Sequence, residues 1–189
     1  MTTMSPVSPA QRTDAELIDE ARRDPTAFAA VFDRHYFAIH GFLRARVGEG
    51  LADELASETF LQALRAIRRY DPSYPGARPW LYAIATNLVG RHRRAEGRPL
   101  RAYSRVELPG VAARDPRREE IAPALAAALE ALPHADRDAL LLVAWGELTY
   151  AEAARAAGVP VGTVRSRIHR ARGRLQAALG ELADDGGQR

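Results

Sequence analysis

The sequence predicts an all-α protein: two small helical domains joined by a flexible linker. Three observations carry that prediction. Apolar residues recur at steps of three and four along most of the chain, the spacing that lines one face of a helix. No run shows the strict alternation of a half-buried strand. Residues 96–120 lose all period and are rich in proline, glycine and charge, as connecting segments are. The expected division is a disordered lead over 1–13, a first domain over 14–95, the linker over 96–120, a second domain over 121–182 and a tail over 183–189.

Taken in order, residues 14–24 (DAELIDEARRD) form a short helix with Leu17 and Ile18 facing inward. Asp24 then Pro25 starts the next, an acceptor at the N-cap and a proline at the first helical position. Phe28, Val31, Phe32, Ile39, Phe42 and Leu43 line that helix, and Gly48 and Gly50 are expected to end it. A third helix over 52–69 turns Leu55, Phe60, Leu64 and Ile67 inward and keeps Asp53, Glu54, Glu58 and Gln62 on other faces. Residues 70–79, YDPSYPGARP, hold three prolines and a glycine, which excludes helix and central strand. Pro79 can open a fourth helix with Trp80, Leu81, Ile84 and Leu88 inside. Its basic end, Arg91, His92, Arg93 and Arg94, suits the carboxyl terminus of the helix dipole. Beyond the linker come a helix over 121–132, stopped by Pro133, and one near 134–145 carrying Leu140, Leu141, Leu142 and Val143. Two more follow at 149–157 and 161–179.

The last two helices carry the clearest chemistry. Thr149 can cap the first, and Glu152 three residues on completes a capping box. Ala153, Ala154 and Ala157 are small enough for a second helix to approach closely. Gly158 supplies the left-handed residue after the helix end, and Pro160 stops one helix and starts the next. The segment VGTVRSRIHRARGRL, residues 161–175, then holds five arginines, one histidine and no acid. Val164, Ile168, Ala171 and Leu175 mark its inner face. A helix-turn-helix lays such a helix into a DNA major groove, its N-terminal residues at base edges. The expected contacts are Gly162, Thr163, Arg165, Ser166, Arg167, His169 and Arg170. An arginine bidentate to guanine discriminates by ~1–3 kcal/mol, whereas one on phosphate adds only salt-dependent affinity; sequence does not separate the two.

Bulk properties exclude several classes. With 27 basic and 24 acidic residues the net charge is only +3, so local clustering rather than overall charge attracts a polyanion. Absence of cysteine rules out disulfides and thiolate metal sites. No run approaches the ~18 apolar residues of a membrane span, and the first residues lack the apolar core of a signal peptide, so a cytoplasmic location is expected. His35, His40, His92, His134 and His169 show no metal-ligand spacing, and no glycine-rich phosphate loop occurs. The chain is therefore read as a non-enzyme with neither metal nor cofactor.

Three segments, ADELASETFLQALRAI, RPWLYAIATNLVGRHRR and ELTYAEAARAAGVPVGTVRSRIHRARGRL, closely resemble the extracytoplasmic-function branch of the sigma-70 family in order and spacing, from about Asp14 to Leu179. The resemblance implies a promoter-recognition subunit of RNA polymerase whose first domain reads and opens the minus-10 element and whose second reads the minus-35 element. It implies that Asp53, Glu54, Glu58 and Gln62 dock on the coiled coil of the largest polymerase subunit, while the second domain meets the flap of the second-largest. It places Tyr70–Arg78 as the base-capturing loop. Tyr70 and Tyr74 either stack on a base, worth ~1–3 kcal/mol each, or pack the loop onto the domain. Asn87 stands where the family reads an extruded base, since an amide both donates and accepts. Arg78, Arg91, Arg93 and Arg94 would hold the DNA strand. Promoter DNA, core polymerase and an anti-sigma factor are the implied partners. Trp80 is expected in the core.

Two other classes are weighed against this. An independent helix-turn-helix regulator would bind palindromic half-sites without polymerase, but has no use for the acidic helix or the RPWLYAIATNLVGRHRR block. A DNA-acting enzyme would need a nucleophile or metal carboxylates, and no such constellation occurs.

Overall fold

The computed structural model describes residues 12–72, 76–96 and 116–185. Helix α1 spans Asp14–Ala21, and a 3-10 turn, Pro25–Phe28, leads into α2, Ala29–Val47. Helix α3 spans Glu49–Arg65, a second 3-10 turn covers Ile67–Arg69, and α4 spans Arg78–Glu96. The second unit holds α5, Pro116–Ala131, α6, His134–Ala144, α7, Tyr150–Ala157, and α8, Val161–Asp185. No strand occurs among the described residues. Residues 1–11 of the expected lead, most of the expected linker, Tyr74 and the end of the tail lie outside them.

Local chemistry sets the boundaries. Thr13 caps α1 through a box with Glu16. Asp24 accepts from the Thr26 amide at 3.0 Å, with Pro25 following, but the turn it opens is 3-10 before the chain relaxes into α2. Gly48, at φ 83°, ends α2, a value that favours glycine. Gly50 does not act as a stop; it lies in the first turn of α3. Residues 67–69 form a 3-10 turn rather than the end of α3. Helix α5 begins at Pro116, five residues before the expected start, because proline is tolerated in a first turn.

Inside the first unit, Leu17 and Ile18 from α1, Val31, Ile39, Phe42 and Leu43 from α2, Leu55 and Phe60 from α3, and Leu81 and Val89 from α4 are all buried. Each such side chain contributes roughly 1.5–3 kcal/mol of transfer free energy. Phe42 meets Tyr82 edge to face at 4.9 Å. In the second unit, Leu142, Leu148, Ala153, Ala154, Val164 and Ile168 pack together, and Leu129, Leu132 and Ala171 form a smaller cluster where α5 crosses α8.

The two units are joined by more than a linker, since their cores are continuous. Helix α7 packs on α4, and α6 touches α2. Trp145 lies on Gly41, where a Cβ would come within 3.2 Å of the indole. At Gly146 a Cβ would sit 2.5 Å from the Leu142 carbonyl oxygen and 3.2 Å from the Tyr82 ring, so only glycine fits this crossing. Arg46 from α2, wholly buried, pairs with Asp138 from α6, while Arg93 from α4 lies 3.7 Å from the same carboxylate. Arg46 also rests over the Phe42 ring at 4.9 Å and reaches Thr86 Oγ1 at 3.4 Å. Arg78 donates across the seam to the Glu147 carboxylate at 2.9 Å and the Gly146 carbonyl at 2.7 Å. Glu147 takes φ 50° to make that turn, a left-handed conformation unusual for a residue other than glycine.

Candidate nucleic-acid interface

The α7–α8 corner is built as its sequence implies. Thr149 Oγ1 accepts from the Glu152 amide at 3.3 Å, and the Glu152 carboxylate accepts from the Thr149 amide at 2.8 Å. Two orphan amides are thereby satisfied. Gly158 is left-handed, φ 64° and ψ 35°, and the Val159 amide closes back on the Ala154 carbonyl at 3.0 Å. Ala153 and Ala154 are buried as expected; Ala156 joins them, whereas Ala157 is only half-buried.

Val164, Ile168 and Ala171 are buried, so the opposite face of α8 looks outward. Gly162, Arg165, Ser166, His169 and Arg170 are exposed; Thr163 and Arg167 are half-exposed. Arg165 and Arg167 form no ion pair among the described residues. Ser166 Oγ donates to the Thr163 carbonyl at 3.0 Å, which steadies the first turn. Arg170 differs from its neighbours. Its guanidinium is bidentate to Asp136 of α6, with Nε at 3.2 Å and Nη2 at 2.8 Å. That carboxylate is buried, and Arg174 stands 3.6 Å from it. In this state Arg170 fastens α8 to α6 through both Nε and Nη2.

In the first unit, Asp53 and Glu54 are exposed on α3, and Asp53 lies 2.9 Å from His40 Nε2. Glu58 accepts from Gln62 Nε2 at 2.7 Å, and Gln62 Oε1 accepts from Arg91 at 3.0 Å. A cleft of about 530 Å³ runs between α3 and α4, lined by buried Leu55 and Leu88, by exposed Leu61, and by Glu54, Glu58 and Arg91. The residues expected to dock on polymerase therefore border the helix expected to meet DNA, and one hydrogen-bond chain links the two sets.

Asn87, Arg91 and Arg94 are exposed on α4. Three other expectations meet a different geometry. Tyr70 is buried, its ring against Trp80 at 5.1 Å between centroids, so it packs the loop and offers no face for stacking in this state. Burial, with Asp14 and Asp71 nearby, pushes its hydroxyl pKa up. Arg93 turns inward to Asp138, and Arg78 is engaged by Glu147. Trp80 itself is half-buried against the core. Sequence reasoning missed Asp14, Arg22, Arg46 and Asp138. Each acts through a partner far along the chain, and no spacing announces such a pairing.

An exposed basic helix on a helix-turn-helix, packed on a second helical unit with a cleft lined by Glu54, Glu58 and Arg91, marks a two-unit helical protein of the DNA-binding class. Comparison agrees on the class: a family model for sigma-70 region 2 matches residues 31–99, and one for sigma-70 region 4 matches residues 123–175. The ECF RNA polymerase sigma factor SigM of Mycobacterium tuberculosis (strain ATCC 25618 / H37Rv) is 36% identical over 178 residues, 91% of this chain and 87% of its own. SigE of Mycolicibacterium smegmatis is 35% identical over 72% of this chain, an alignment spanning only 55% of the relative's length. Among solved structures, CnrH in complex with the cytosolic domain of CnrY superposes with a TM-score of 0.68 at 28% identity, over 89% of this chain and 97% of that one. The chain belongs to the extracytoplasmic-function branch of the sigma-70 family; it is an RNA polymerase sigma factor. No helix among the described residues is long and apolar enough to cross a membrane.

Proposed function

We propose that the chain directs core RNA polymerase to promoters by reading the minus-35 element with α8 and the minus-10 element with α4 and the preceding loop. The observation that carries this is the division of α8. Its inner face is buried while Gly162, Arg165, Ser166 and His169 stand exposed beside half-exposed Arg167. Arginines without local carboxylates remain available to phosphates and to guanine edges.

On this reading Asp53, Glu54, Glu58 and Gln62 dock on the coiled coil of the largest polymerase subunit, and the second unit meets the flap of the second-largest. Asn87 reads an extruded base, with Tyr74 as a stacking partner, and Arg91 and Arg94 hold the strand. Arg78 joins them once freed from Glu147. The protein does no covalent chemistry and works in the cytoplasm. An anti-sigma factor would control it by covering the α3–α4 cleft or the α8 face, a possibility raised by the solved complex of a similar protein, CnrH, with the cytosolic domain of CnrY.

Run-off transcription with purified core polymerase tests the reading. Promoter-dependent initiation that appears on adding this protein, and disappears with Arg165→Ala plus Arg167→Ala, is expected. A protein that footprints a palindrome alone and gives no start with polymerase would be a stand-alone regulator.

A further inference from the structure

Both ends of the loop between α3 and α4 are held by one short helix, α1. At the front, Arg22, the residue that ends α1, donates from Nη2 to the Tyr70 carbonyl at 2.8 Å and from Nε to the Ile67 carbonyl at 3.4 Å. At the back, Asp14, the first residue of α1, accepts from the Ala77 amide at 2.7 Å. Gly76 permits this approach, since a Cβ there would lie 3.2 Å from the Asp14 carboxylate. The two anchors are eight residues apart, roughly 12 Å along a helix axis.

The anchors are themselves fixed. Asp14 is buried and also takes Arg34 Nη1 at 2.6 Å and His35 Nε2 at 2.8 Å. Burial alone would raise its carboxyl pKa, but hydrogen bonds from His35 and the Ala77 amide outweigh that and hold it well below the usual carboxylate range. The carboxylate is therefore charged throughout the physiological range. Leu17, Ile18 and Ala21 bury the inner face of α1, so the helix cannot slide to relax either grip. Neither anchor is required to shape α1, which has its own capping box at Thr13 and Glu16.

We propose that α1 is a brace for the loop that reads the minus-10 element, with Asp14 and Arg22 as positioning residues that set its two ends. The inference rests on the assignment of minus-10 reading to α4 and its preceding loop. A base drawn out of the duplex must meet its partners in one geometry, and misplacement by about 1 Å costs as much as 10²-fold in comparable reactions. Ties at Tyr70 and Ala77 fix where the chain enters and leaves the loop before DNA arrives. Asp14 and Arg22 touch no nucleotide; they act through the Ala77 amide and the Tyr70 carbonyl.

The test uses full-length protein with core polymerase and measures open-complex formation on a matched promoter and on one with a substituted minus-10 base. The variants are Asp14→Ala, Asp14→Asn, Arg22→Met and, as a control on the underlying assignment, Asn87→Ala. Asp14→Ala and Arg22→Met are expected to lower opening on duplex DNA about tenfold, the scale of a lost charge-assisted hydrogen bond. They should also narrow the preference for the matched base, while binding to core polymerase is unchanged and a pre-melted promoter restores part of the defect. Asp14→Asn keeps an oxygen for the Ala77 amide and should recover most of the preference. If Asp14→Ala does not fold, Arg22→Met decides, because that side chain is partly exposed. Folded Asp14→Ala or Arg22→Met with wild-type base preference, alongside an impaired Asn87→Ala, overturns the brace. Wild-type preference in Asn87→Ala as well would overturn the minus-10 assignment itself.

Discussion

Replacing Asp138 with alanine should part the two helical units. Arg46 is wholly buried, and desolvation pushes its pKa down to about 10 even with Asp138 as the strongest opposing influence. The guanidinium is therefore poorly compensated already. Arg93 and Arg137 lie close by and repel it. Removing the one carboxylate strands a buried charge, a loss of ~3–5 kcal/mol in comparable pairs. Opening the seam gives Arg46 water instead and limits the loss to the free energy of closure. A change of ~3 kcal/mol moves a closed-to-open equilibrium by roughly a hundredfold. The chain has no cysteine, so dyes placed at Ser57→Cys and Gln176→Cys, both exposed positions, report the separation by energy transfer. Transfer should fall in Asp138→Ala while far-ultraviolet helicity is kept. Arg46→Met combined with Asp138→Leu should close the seam again, since apolar replacements of similar size often match or exceed a buried pair. Unchanged transfer and unchanged melting in Asp138→Ala would refute the reasoning.

Three further outcomes follow. The His134 pKa is lowered from 6.5 by burial and by repulsion from Arg93 and Arg137, with Asp138 opposing. A depressed group gives stability that is present above pH 6.5 and is lost as pH falls below it, so energy transfer should decline on acidification and His134→Gln should flatten that slope. Thr149→Ala removes the α7 cap and should cost about 1 kcal/mol in thermal unfolding of the second unit. Arg165→Ala should weaken minus-35 binding and flatten its salt dependence at constant helicity; Arg170→Ala should instead lower the melting temperature, because Asp136 is left buried without its fork.

What could be read in advance was local. The box at Thr149 and Glu152, the left-handed Gly158 and the Val164–Ile168–Ala171 stripe involve residues within one or two turns of each other, so sequence spacing encodes them directly. Residues 116–120 read as linker because they continue a segment rich in proline, glycine and charge with no clear period, yet proline suits the helix start found there. Gly50 reads as a stop because glycine permits many conformations, but of the Gly48–Gly50 pair it is Gly48 that takes a positive φ. Roles set by distant partners were not legible. Arg170 finds Asp136 from 34 positions away, Arg78 finds Glu147 from 69, and Tyr70 is turned inward by Trp80 across the loop. An arginine in a basic run looks the same whether a phosphate or a buried carboxylate awaits it.

The contact between Arg78 and Glu147 places a side chain marked for promoter DNA under a competing claim from within the same molecule. The Arg78 donors held by the Glu147 carboxylate and the Gly146 carbonyl are not offered to a phosphate while the two units stay closed. On the proposed reading of Arg78 as a DNA contact, its share of the affinity scales with the fraction of molecules whose halves have separated. On the same reading, interior residues at the seam such as Gly41 and Trp145 bear on DNA binding without meeting a nucleotide.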